Sequence, residues 1–175
     1  ESLGARTRRV RRPADLEGLD ALVLPGGESS TIDRLARTFG LAGPLGDAVR
    51  AGLPTLGTCA GLVLLAREVV DPAPVQRSLG VLDVRVRRNA FGPQVDSAEA
   101  HVDTTLGPVR VAFIRAPVVE SVGPGVEVVA RDAAHHIVAV RQGRVLGVSF
   151  HPELTGDPTF HRALLRLAGP SRRPT

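Results

Sequence analysis

Short apolar runs cut off by turn residues constrain this chain more than any other feature. Residues 21–24 (ALVL) lead into Pro25-Gly26-Gly27, and residues 54–56 (PTL) lead into Gly57. Runs of this length with such ends read as buried strands. Helical patterns lie between and after them, over residues 31–38, 45–51 and 60–69, with a last one over 162–168. Ser29 or Ser30 is placed to cap the first, and Ser30 with Asp33 fits a capping box. Further strand candidates follow at 82–86, 109–114, 126–130, 137–141 and 145–150. Strand–helix alternation in the first half and crowded strands in the second predict an α/β domain, a parallel sheet extended by hairpins. Ligands of such sheets bind at the carboxyl ends of strands. Three polar segments fall at those ends: PGGESS, GTCAG and HPE.

Composition narrows the class. Apolar residues make up 43% of 175 residues, enough for one core. No apolar run reaches the ~18 residues a bilayer span needs, and the first ten residues lack the hydrophobic stretch of a signal peptide. A single cysteine makes no internal disulfide. These features predict a soluble cytoplasmic domain with no membrane partner. Five arginines fall within residues 6–12, but the net charge is only +4 and no aromatic residue interleaves with them. The segment reads as a solvated edge rather than a nucleic-acid arm. The chain has no methionine, so Glu1 is not a retained initiator and the start reads as processed, cut or incomplete.

The lone cysteine, Cys59, stands in Gly57-Thr58-Cys59-Ala60-Gly61. A strand, G-x-C-x-G and a helix form the nucleophile-elbow pattern with cysteine for serine. A Cβ at either glycine would strike the neighbouring strand or helix. The helix beginning at Ala60 turns free N–H groups toward the sulfur and favours a thiolate. Taken alone, the pattern also suits a buried structural cysteine. Of the five histidines, His101, His135 and His136 sit in polar surroundings and His161 in the terminal helical pattern. His151 directly follows the strand VLGVSF, and Glu153 lies two residues on. In an extended segment those side chains share a face. Cys59, His151 and Glu153 then take the roles of nucleophile, base and orienter. The Gly26-Gly27 turn exposes backbone N–H groups, and those of Gly27 and Ala60 are candidates for one oxyanion hole. No Cys/His cluster has ligand spacing, so no metal is expected. On the residues alone, another amidotransferase, a stand-alone cysteine hydrolase or a decayed binding module remain open.

LPGGESST, GTCAG and SFHPELTGD, in this order and spacing, resemble class I (triad) glutamine amidotransferases. RRNAFGPQVDSAEA (87–100) and FIRAP (113–117) narrow the resemblance to the PdxT family, the glutaminase subunits of pyridoxal 5'-phosphate synthase. These stretches set it apart from the imidazole glycerol phosphate, GMP and carbamoyl-phosphate amidotransferases. The resemblance implies a three-layer, flavodoxin-like α/β fold with a mostly parallel sheet, a single domain over residues 1–175. It implies Cys59 as nucleophile, completed by His151 and Glu153. It implies glutamine contacts from Gly27, Glu28 and Ser29, from Arg88, and from Ile114 and Arg115. No cofactor is implied. The implied partner is a synthase subunit of the PdxS family, in a hetero-oligomer of twelve plus twelve subunits. The family opens with an apolar strand carrying an LQG motif and then a helix, whose last turn ESLGA matches. About twenty residues, one βα piece, are therefore expected ahead of Glu1, and without them the chain is expected to be unstable or inactive.

Overall fold

A computed structural model describes residues 1–90 and 98–170. Residues 91–97, within the stretch RRNAFGPQVDSAEA (87–100), and residues 171–175 lie outside the described residues. Strand β1 (Leu22–Leu24) leads into helix α1 (Ser29–Thr38) and then α2 (Ala42–Arg50). Strand β2 (Thr55–Thr58) leads through Cys59 into α3 (Ala60–Leu65). Strands β3 (Ala66–Val70), β4 (Leu82–Arg87), β5 (Ala98–Thr104), β6 (Gly107–Phe113), β7 (Val118–Val122), β8 (Glu127–Arg131), β9 (Ile137–Gln142) and β10 (Val145–Val148) follow. Two helices close the described chain, α4 (Pro152–Thr155) and α5 (Thr159–Ala168).

The strand order is β1-β2-β10-β9-β7-β4-β3, with β5, β6 and β8 branching off. β1 and β10 both pair parallel with β2, as β3 does with β4. The other pairings are antiparallel. The parallel character expected of the sheet thus resides in the three strands that carry the polar segments and in the β3–β4 pair, and the hairpins of the second half supply the rest.

Alternation along β10 shows how the layers form. Val145 joins a cluster with Leu45 and Val49 of α2 and Leu62 and Leu65 of α3. Leu146 and Val148 join another, with Val111 of β6 and Phe160 and Leu164 of α5. Successive side chains of a strand face opposite ways, so helices cover both faces of the central sheet. Phe150 meets Phe113 and Phe160 edge-on, with ring centroids 5.8 and 5.4 Å apart. Such pairs add about 0.5–1.5 kcal/mol each beyond area burial, and they anchor the residue just before His151.

Some local expectations change. Helix α3 ends at Leu65, not at residue 69, and 66–70 is a strand. An apolar run alone does not separate helix from strand. Here the edge of β4 offers backbone partners to Val69 and Val70, whose branched Cβ atoms favour extended chain. Helix α1 begins at Ser29, and its cap is Glu28, whose carboxylate accepts from the Ser30 N–H at 3.0 Å. Strands β5 and β7 were not foreseen. In β5 the alternation of exposed Glu99, His101 and Asp103 with more buried Ala100 and Val102 is the signal that reveals it. Residues 2–4 form a turn, with Gly4 at φ +81 donating to the Glu1 carbonyl at 2.9 Å. Among the described residues no helix is long and apolar enough to cross a membrane.

Candidate active site

The turn between β2 and α3 holds Cys59 at φ 48 and ψ −104, a region that non-glycine residues rarely occupy. Two contacts impose it. Cys59 N–H donates to the Val148 carbonyl of β10 at 2.8 Å, and its carbonyl accepts from Val63 N–H at 3.3 Å. The flanking glycines allow it. A Cβ on Gly57 would lie 2.7 Å from the Gly61 carbonyl, and one on Gly61 would lie 2.0 Å from the Leu24 carbonyl oxygen. Both collisions expected from the sequence are therefore present. Ala60, at the first position of α3, has an N–H that no helical carbonyl can reach.

His151 follows β10 and is anchored by its N–H to the Ala112 carbonyl of β6, at 2.9 Å. Its Nδ1 lies 2.7 Å from Glu153 Oε1. The pairing was expected, but not the backbone that makes it. Pro152 opens α4, so Glu153 sits in a first helical turn instead of an extended segment. With Nδ1 engaged, Nε2 remains for Cys59. The ring is largely buried at 13% exposure. Its pKa is pushed up to about 10, first by the hydrogen bond with Cys59, then by that with Glu153, against the opposing effect of burial. His151 is thus an imidazolium at neutral pH. Burial works to raise the Glu153 carboxyl, but the hydrogen bond from His151 outweighs it and the net direction is downward.

The contribution of the raised His151 pKa to stability has a definite sign. The folded-state pKa of His151 lies above its ordinary 6.5, so the contribution is complete below pH 6.5 and is lost as pH rises through about 10.

The sulfur opens into a cavity of about 190 Å³. Nine of the ten residues singled out from sequence line it: Gly27, Glu28, Ser29, Cys59, Ala60, Arg88, Ile114, Arg115 and His151. Glu153 stands behind His151. Val63, Asn89 and Pro117 also line the cavity and were not foreseen. Within it, Glu28 Oε1 accepts from Ser30 N–H at 3.0 Å, Ser30 Oγ at 2.8 Å and Arg88 Nη2 at 3.0 Å. These bonds, followed by the charges of Arg88 and Arg115, hold the Glu28 carboxyl below the usual range. The cavity therefore presents one carboxylate beside two guanidinium groups, with the thiol at its wall. Cys59, Asn89 and Arg115 all have φ between 43 and 48. Strained backbone of this kind concentrates at functional sites. Among the described residues no group of three or more His, Cys, Asp or Glu side chains is placed to hold a metal ion.

Gly26 is a further site residue that spacing alone did not single out. A Cβ there would lie 2.2 Å from His151 Cε1 and 3.0 Å from Nδ1. The absent side chain is what lets the imidazole lie against this turn. Gly26→Ala is expected to push the ring off Cys59 and lower turnover about 100-fold, while the unfolding midpoint changes little. Steady-state kinetics beside thermal unfolding check this, and unchanged turnover would refute the packing argument.

A family model for the SNO glutamine amidotransferase family matches residues 1–167. The chain belongs to that family. It is 58% identical over 174 residues to pyridoxal 5'-phosphate synthase subunit PdxT of Cutibacterium acnes, covering 95% of this chain and 87% of the relative. It is 56% identical over 170 residues to the PdxT of Clavibacter michiganensis subsp. michiganensis, covering 95% of this chain and 81% of that one. Among solved structures it superposes on a glutamine amidotransferase crystal structure with a TM-score of 0.90 at 50% identity. That match covers 97% of this chain and 89% of the other. The family and the α/β fold expected from the sequence motifs are thereby established.

Proposed function

We propose that the chain is the glutaminase subunit of a pyridoxal 5'-phosphate synthase. It hydrolyses L-glutamine to L-glutamate and ammonia and passes the ammonia to a synthase subunit. One observation carries the reading: the hydrogen-bonded series Cys59–His151–Glu153 ends at a cavity that also holds the Glu28–Arg88 pair. A free α-amino acid needs such a pair, with guanidinium groups of Arg88 and Arg115 for its α-carboxylate and Glu28 for its α-ammonium. The names of the similar PdxT proteins supply the synthase context.

The chemistry follows from the groups present. The Cys59 thiolate attacks the γ-carboxamide carbon. Negative charge gathers on the carboxamide oxygen, and the N–H groups of Gly27 and Ala60 are the proposed donors to it. The His151 imidazolium gives its proton to the departing nitrogen, the C–N bond breaks, and ammonia leaves a glutamyl thioester. Neutral His151 then takes a proton from water, whose oxygen attacks the thioester carbon. The C–S bond breaks, releasing glutamate and restoring thiolate and imidazolium. Gly27, Glu28, Ser29 and Ile114 complete the proposed glutamine contacts. No step draws on a metal or organic cofactor. We place the reaction in the cytoplasm, where thiols are kept reduced, with a PdxS-type partner in a twelve-plus-twelve assembly.

The test is release of glutamate from L-glutamine by the chain together with the synthase subunit, followed across pH. His151 acts first as an acid, so kcat/KM is expected to hold below its raised pKa and fall as pH passes through about 10. Glu153→Gln removes one of the groups that raise it. That variant should move the alkaline limb to lower pH and cut the rate about 10- to 100-fold. Absence of glutamine hydrolysis by the complex would overturn the reading.

A further inference from the structure

Strand β6 has a strand partner along one edge alone. It pairs with β5 from Gly107 to Phe113, and among the described residues no strand pairs with its other edge. The turn carrying His151 and Glu153 occupies that place. His151 N–H donates to the Ala112 carbonyl at 2.9 Å. Two residues back, Arg110 N–H donates to Asp157 Oδ2 at 3.0 Å, and the Arg110 carbonyl accepts from Thr155 Oγ1 at 2.6 Å. The Arg110 guanidinium closes the ring by donating to the Thr155 carbonyl at 2.8 Å. Backbone groups at a buried edge need partners, and here the side chains of Thr155 and Asp157 stand in for a strand. Thr155 is buried, and Asp157 Oδ1 also accepts from Thr159 N–H at 2.9 Å, fastening the start of α5. Burial works to raise the Asp157 carboxyl, but the hydrogen bonds from Thr159 and Arg110 outweigh it and keep it ionised.

The same strand runs on into the cavity wall. Four residues past Arg110, β6 gives way to Ile114 and Arg115, which line the same cavity as Cys59 and His151. One strand edge therefore carries both the triad turn and the residues facing the substrate.

We infer that Thr155 and Asp157 are positioning residues for the reaction: by clamping the His151–Glu153 turn to the free edge of β6, they set the His151 ring against Cys59 and in register with Ile114 and Arg115. The groups that act on His151 are Cys59 at the start of α3 and Glu153 on α4, while His161 of α5 acts on Glu153. The clamp itself holds β6 through Thr155 and Asp157, so it acts on the geometry of these groups. The turnover arm of the test rests on the glutaminase reading. A second arm does not.

Thr155→Val keeps the shape of the side chain and removes its donor. Asp157→Ala removes the acceptor for Arg110. The chain in complex with the synthase subunit is assayed for glutamine hydrolysis and for the rate at which iodoacetamide alkylates Cys59, the one cysteine of this chain, read by mass spectrometry of this chain. Both variants are expected to lower kcat about 10- to 100-fold, with a smaller change in KM. Alkylation at neutral pH should slow about 10-fold, because the His151 ring no longer sits against the sulfur, and the alkaline limb of kcat/KM should move to lower pH. Thr155→Ser, which keeps the hydroxyl, should restore all three. Folded variants with wild-type kcat and alkylation rate, or with only a lowered melting temperature, overturn the inference. Slower alkylation in a complex that never hydrolyses glutamine leaves the positioning role standing and sinks the glutaminase reading.

Discussion

Cys59→Ala is expected to abolish glutamine hydrolysis, lowering kcat by at least about 10⁴-fold, the scale seen when a catalytic nucleophile is removed. The reason lies in the division of labour at the site. His151 and the cavity survive the substitution, so glutamine still binds, but among the described residues lining the cavity there is no second thiol, and the one hydroxyl, Ser29, accepts from Gln76 Nε2 at 3.0 Å. A direct attack by water lacks the thioester that divides the reaction into two easier steps. Synthase turnover fed with ammonium salts should be unaffected, because that route bypasses the thiol. Two measurements check this, glutamate release and product formation from ammonium. Glutamine hydrolysis by Cys59→Ala within about tenfold of wild type would remove Cys59 from its proposed role.

Gly61→Ala is expected to have the largest effect on the fold itself. The added Cβ would sit 2.0 Å from the Leu24 carbonyl oxygen, and that atom belongs to the backbone of β1. No rotamer change relieves the contact. Either α3 lifts from the sheet or β1 parts from β2, and both carry core residues, Leu24 on one side and Leu62, Val63 and Leu65 on the other. Overpacking of a dense core costs about 1–3 kcal/mol and occasionally more. An inflexible backbone collision belongs at the upper end, a large share of a domain's ~5–15 kcal/mol. Gly43 in α2 provides the control, since a Cβ there meets nothing within 4 Å. Chemical denaturation of the two variants is the comparison. Gly61→Ala within about 0.5 kcal/mol of wild type would mean that the α3–β1 approach is not tight.

Much of the site was legible because its chemistry is local. Glycines around a cysteine after a strand report a close turn, and His151 with Glu153 two residues on reports a hydrogen-bonded imidazole–carboxylate pair. The motifs around Arg88, Ile114 and Arg115 are short and contiguous, and with the triad, Gly27–Ser29 and Ala60 they supply ten residues, nine of which line one cavity. What escaped depended on partners distant in sequence. Strand β3 looked like the end of a helix until β4 provided an edge for it. Strand β5, polar on one side, gave an alternation that a search for apolar runs passes over. Gly26 reads as an ordinary turn glycine, and only the position of the His151 ring, 125 residues away along the chain, explains why no side chain fits there.

By itself the sequence determined the chemistry, a thiol at a glycine-flanked turn with an imidazole, a carboxylate and guanidinium groups to accompany it, together with the strand–helix rhythm that places such turns at strand ends. Side-chain type and near-neighbour spacing are enough for that, because each motif is built from a few consecutive residues. Tertiary structure alone decided how the pieces meet. The parallel register of β10 on β2 brings Val148 to Cys59 N–H, and the edge of β6 that no described strand pairs with receives the His151 turn through Thr155 and Asp157. Such contacts satisfy backbone groups that would otherwise be buried without partners. Which group meets which depends on the three-dimensional register of strands far apart in the chain, and no local pattern carries that information.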